Sequence, residues 1–134
     1  MMRNEMTQSS RGQALIEFAL VVPILVLLVL GLFDLGYAVY AQNAISNAAR
    51  EGARTGIILT KTDADIRSRV LATAPTLASL QITIAPSLSR TANTPITVTV
   101  NYTFTPMTPV IGQLVGSGIP LSARSVMIVE GVTQ

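Results

Sequence analysis

The chain has 134 residues and a net charge of +2, with no cysteine, histidine or tryptophan. That length suits one small domain with a membrane segment, and the missing residues exclude disulfides, thiolate metal sites and Ser–His or Cys–His nucleophiles. Charged residues are 12% against 49% hydrophobic, with a mean hydropathy of +0.53, which excludes a disordered chain and points to a membrane protein.

The first predicted element is the apolar run 14–33, interrupted only by Glu17. As a helix, 20 residues span about 30 Å, the thickness of a bilayer's hydrocarbon core. A cleaved signal peptide has a shorter apolar core, roughly 7–15 residues, ending at a small-residue site. No such site stands before the rest of this chain, so a retained anchor is expected. Arg3 and Arg11 precede the run, and Arg50 is the first basic residue after it. The positive-inside rule then places the N-terminus in the cytoplasm and the bulk of the chain outside. Tyr37 and Tyr40 are candidate interface anchors or ordinary helix surface. Pro23 removes one helix hydrogen bond and predicts a kink around 19–23.

The helix is expected to continue past the membrane to Gly56, which suits a C-cap. Over 13–56 it would be about 66 Å long, roughly half of it protruding. Ala44, Ala48, Gly52 and Gly56 recur every four residues and form one stripe, with Ala41 and Ala49 beside it. Small residues at this spacing let backbones approach closely. The stripe either seats the strands of its own domain or packs against neighbouring subunits.

A second helix is predicted over 63–74. Thr62 can cap it, Asp63 and Asp65 suit its N-terminal end, Pro75 stops it, and Ile66, Val70 and Leu71 give it an apolar edge. The period then changes to two. "SLQITIA" alternates at Leu80, Ile82 and Ile84, and "PITVTVNYTFTP" at Ile96, Val98, Val100, Tyr102 and Phe104; "PLSARSVMIVEG" gives a weaker third strand. "GQLVGSG" lacks the Lys-Ser/Thr ending of a phosphate loop and is expected to be a flexible loop between strands. The whole predicts an α+β fold. A long N-terminal transmembrane helix extends into a small extracytoplasmic domain with a second short helix and a roughly three-stranded antiparallel sheet.

Little in this chain suggests catalysis. Asp63 and Asp65 lack the Gly and Glu of a calcium loop and better complement a helix dipole. No enzyme activity, cofactor or metal is expected, and without a basic patch interleaved with aromatics no nucleic-acid partner is expected either.

The stretch "RGQALIEF" (11–18) joins a short polar, basic leader to the apolar helix through Gly12, with Glu17 at the fifth place after it. This resembles a type IV prepilin processing site. "GQALIEFALVVPILVLLVLGLFDLGYA" followed by "AAREGAR" resembles the TadE-like family of tight-adherence pilus proteins. The tail "NYTFTPMTPVIGQL…IPLSARSVMIVE" is also similar to that family's C-terminal part. The resemblance implies cutting between Gly12 and Gln13 by an aspartic prepilin peptidase in the cytoplasmic membrane. It matches Glu17 and Phe18 to the Glu–aromatic pair of this class. It further implies a minor pilin or pseudopilin in assembly of Flp-type pili, with other pilin subunits and the assembly platform as partners and surface adhesion as the outcome. The chain departs from wider type IV pilins in lacking a C-terminal cysteine pair. The implied organisation is a cytoplasmic leader 1–12, a transmembrane part 13–36 and an extracytoplasmic pilin-like domain 37–134.

Electrostatics gives Glu17 a role on other grounds. Cutting exposes an amine on Gln13, partly desolvated within a bundle of apolar helices. A Glu17 carboxylate on an adjacent subunit could neutralise it and set axial register, since an uncompensated charge there costs several kcal/mol. The alternative is that Glu17 only snorkels at the interface. For the whole chain the alternatives are a bitopic envelope protein whose sheet binds a partner, or a secretion pseudopilin.

Overall fold

A 52-residue helix, α1 (Glu5–Gly56), carries the first part of the chain. After it come α2 (Asp63–Thr73), β1 (Gln81–Ala85), β2 (Pro95–Phe104), a short helix α3 (Pro109–Val115) and β3 (Ile119–Ile128). The computed structural model describes residues 5–87, 90–116 and 118–131. The architecture is α+β: a long apolar helix, a short second helix and a three-stranded antiparallel sheet of order β1-β2-β3.

α1 begins at Glu5, eight residues before the expected start at Gln13. No proline stands in the leader, and glycine at 12 costs only about 1 kcal/mol in a helix interior, less than an already nucleated helix needs to stop. Arg3 lies outside the described residues, as do the side chains of Glu5 and Arg11. α1 is continuous through Pro23.

The second half of α1 covers the sheet. Ala41, Ile45, Ala48, Ala49, Gly52, Ala53 and Gly56 are buried, spaced by threes and fours along one side. Opposite them stand Ile96, Val98 and Val100 of β2, fully buried and alternating as a half-wet strand must. β2 is the central strand: Val98 pairs with Ile84 of β1 and Ser125 of β3, and Val100 with Ile82 and Ala123. Burying each such side chain contributes about 1.5–3 kcal/mol, so this seam holds the domain to its helix. β2 runs antiparallel to α1, with Ile96 near Gly56 and Phe104 packed on Tyr37 at a ring separation of 5.8 Å.

α2 is capped as its sequence predicts. The Thr62 hydroxyl accepts from the Asp65 N–H at 3.2 Å, and the Asp65 carboxylate accepts from the Thr62 N–H at 2.8 Å. Its apolar edge is narrower than expected. Ile66 and Val70 are buried, but Leu71 is 50% exposed, lying about 140° around the helix from Ile66.

The stretch 109–115, read as part of a loop, is helical instead. Pro109 at its first turn has its φ already set, and Gly116 closes it through an N–H to the Gly112 carbonyl at 3.1 Å. Of the glycines of "GQLVGSG", Gly112 lies inside this helix, Gly116 ends it, and Gly118 stands in the turn into β3. At Gly118 (φ +110°) a Cβ would lie 2.8 Å from the Phe104 carbonyl oxygen, so only glycine fits.

Candidate assembly site

At the leader end, Gly12, Gln13, Glu17 and Phe18 are all exposed on α1, and a Cβ at Gly12 would meet nothing within 4 Å. Gln13 and Glu17 lie one turn apart on the same side of the helix, about 6 Å along its axis. Among the described residues, no other element packs against either of them.

The same holds for the apolar half of α1. Its large side chains from Leu15 to Leu35, on every side of the helix, are exposed, save half-buried Val22. α1 is the one helix among the described residues long and apolar enough to cross a membrane, and that stretch is uncovered by the rest of the chain. A helix apolar all round needs lipid or other helices about it. One such helix near the N-terminus fits a single-pass membrane protein.

The small-residue stripe lies further along, where the chain does cover it. Ala48, Gly52 and Gly56 are buried and Ala44 is half-buried. A Cβ at Gly52 would lie 2.6 Å from a Val70 methyl and 3.2 Å from a Val98 methyl; one at Gly56 would collide with Ile96 and approach Ile66. The neighbours that demand small residues here are α2 and β2 of the same chain. The structure therefore separates the residues singled out in the sequence into two regions. Gly12, Gln13, Glu17 and Phe18 sit on the bare shaft, whereas Ala44, Ala48, Gly52 and Gly56 sit on the seam.

Between the two regions lies Asp34, to which the sequence reading gave no role. It is 5% exposed, and its carboxylate accepts hydrogen bonds from the N–H groups of Met107 (2.8 Å) and Thr108 (2.9 Å), just ahead of α3. Asp34 thereby caps α3 from another element, since Thr108, the residue at the cap position, makes no cap bond of its own. A signal for this existed: Asp34 is the sole charged residue between Phe18 and Ala49, and a charge in an apolar stretch needs a partner. Its partners are backbone amides 73 and 74 residues away, which no local pattern marks.

Polar contacts fix the far end. Glu51 on α1 receives Arg69 of α2 at 2.9 Å. Arg90 donates to the carbonyls of Gly56 and Lys61 and lies 3.5 Å from Asp63, so it closes the C-terminal end of α1. Among the described residues no group of acidic side chains is placed to hold a metal ion.

A model of the TadE-like protein family matches residues 12–54, from Gly12 along the whole apolar run to Arg54, near the end of the seam. The chain is TadE-like over this segment. The match ends before α2 and does not reach the tail 101–130. No curated protein and no solved structure matches the chain. The TadE-like segment and the membrane-length helix it contains support a minor pilin related to tight-adherence pili, associated with a membrane and with pilus components.

Proposed function

We propose that this chain is a structural minor pilin or pseudopilin of the Flp type, matured by a prepilin peptidase that cuts between Gly12 and Gln13. The leader 1–12 stays in the cytoplasm, 13–36 crosses the cytoplasmic membrane, and 37–134 stands outside as the pilin-like head. The observation that carries this reading is where the family match lies. It starts at Gly12, two residues before the apolar run begins, covers the bare shaft and runs on into the seam.

On this reading the peptidase must unwind a helical cut site, because α1 runs without a break from Glu5 across Gly12. Gly12, with open space around it and no side chain, is the position in the leader that yields most readily. Insertion precedes cutting, because the leader carries Arg3 and Arg11, the basic residues that orient the span. The new amine on Gln13 meets Glu17 of a neighbouring subunit within a bundle of apolar shafts, and the pair sets axial register. The test is Glu17→Ala in cells that build the pilus. The variant should be cut normally yet support little piliation, whereas normal piliation would remove the register argument.

A further inference from the structure

The sheet's two ends lie at different levels along α1. Ile96, near the start of β2, meets Gly56; Phe104, at its end, meets Tyr37. The connection from β2 to β3 therefore hangs at the end nearest the apolar shaft. Within it, a Cβ at Gly31 would lie 3.8 Å from Ile111 of α3, and Asp34 holds the amides of Met107 and Thr108. A span of about 20 residues that begins at Ala14 ends near residue 33. The 105–115 segment thus sits at the depth where the hydrocarbon core gives way to headgroups.

Its chemistry suits that depth. No charged residue occurs between Arg90 and Arg124, and Met107 projects with 88% of its surface exposed. A cleft of about 640 Å³ separates this segment from the shaft, walled by Leu30, Phe33, Tyr37 and Tyr102. Backbone N–H groups at the edge of the hydrocarbon core have less water to bond than in bulk solvent, so internal acceptors favour their burial there. Asp34 supplies acceptors to the two that lead into α3.

We propose that the 105–115 segment is a second membrane contact, seated in the lipid interface on the side where the head lies, with Asp34 replacing water for its amides. The head would then rest on the bilayer rather than stand off it, in an orientation fixed by the shaft and by the Met107 loop together. This rests on α1 spanning a membrane.

The chain has no tryptophan, so single-tryptophan variants report depth without background. Met107→Trp, Leu25→Trp in the shaft and Ala72→Trp on exposed α2 are each reconstituted as full chains in phosphatidylcholine/phosphatidylglycerol vesicles. Brominated lipids carrying bromine at shallow or deep acyl positions then serve as quenchers. All three positions are exposed, so the ring is accommodated without repacking. Met107→Trp should emit to the blue of Ala72→Trp and lose intensity chiefly to shallow bromines, Leu25→Trp should lose it chiefly to deep ones, and Ala72→Trp to neither. If Leu25→Trp is quenched but Met107→Trp behaves as Ala72→Trp, the second contact is refuted and the span stands. A blue-shifted Met107→Trp that no bromolipid quenches also refutes it, because protein rather than lipid covers the loop. If Leu25→Trp escapes quenching, the spanning shaft itself fails and the proposal with it.

Discussion

Gly52→Ala sets two effects of opposite sign against each other at the seam. Alanine is favoured over glycine inside a helix by about 1 kcal/mol, so propensity alone makes the variant more stable. The new methyl, however, would lie 2.6 Å from Val70 Cγ2, 3.2 Å from Val98 Cγ1 and 3.5 Å from Ile66 Cγ2. Val70 and Val98 are fully buried, and a β-branched side chain in a helix has one strongly preferred rotamer, so Val70 cannot swing away. Either α2 or β2 must move off α1, and overpacking of this kind costs about 1–3 kcal/mol. The net is a loss of up to about 2 kcal/mol. For a domain of this size each kcal/mol lowers the melting temperature by about 4–8 °C. Thermal unfolding of the full chain in detergent, followed by tyrosine fluorescence, reads this directly. Gly36→Ala is the control, because a Cβ there meets nothing within 4 Å, and it should melt no lower than the parent. A Gly52→Ala chain more stable than the parent, by the about 1 kcal/mol of helix propensity left unopposed, would refute the reasoning that contacts at 52 exclude a side chain.

Four further outcomes can be checked, three of them on named contacts. Asp34→Ala should leave the seam folded but free the start of α3, so amide exchange at Met107 and Thr108 should rise while Val98 and Val100 stay protected; unchanged exchange at 107 and 108 would deny Asp34 its capping role. Thr62→Ala should cost about 1 kcal/mol by removing the α2 cap. The Asp65 side of that box depends on pH. Hydrogen bonds from the Thr62 backbone and side chain hold the Asp65 carboxyl below its ordinary value. The stability it adds is therefore full above the unfolded-state pKa of about 3.9 and fades as pH falls through the lower folded value. The gap in melting temperature between the parent and Asp65→Asn should accordingly close in strong acid and stay constant at neutral pH; a gap independent of pH would exclude the carboxylate. Gly12→Leu should retain the leader, seen as an unshortened band in the membrane fraction, and normal shortening would move the cut elsewhere.

Much of this fold is legible from period alone. The alternation at Ile96, Val98 and Val100 places a half-wet central strand, and the Thr62–Asp65 pair places the start of α2, because both signals are local. What escapes the sequence is set by distance or by competition. Leu71 reads as apolar edge but falls outside the contact face once the angle of α2 on α1 is fixed. The helix at Pro109 is hidden by a glycine within it and two after it, and the amides leading into it are held by a carboxylate 73 residues upstream of Met107. The early start of α1 reflects propagation from a long helix through residues that would not form one alone. In the candidate assembly region, Gly12, Glu17 and the apolar run are plain in sequence. That the small-residue stripe faces α2 and β2 of the same chain, and that Asp34 joins shaft to head, emerge only once the strands are in place.

The central claim is that the chain works as a processed TadE-like subunit, and the mass of the protein extracted from membranes of cells with an active prepilin peptidase tests it most directly. The account predicts loss of residues 1–12 and an N-terminus at Gln13. A chain that keeps its leader in those cells would contradict it.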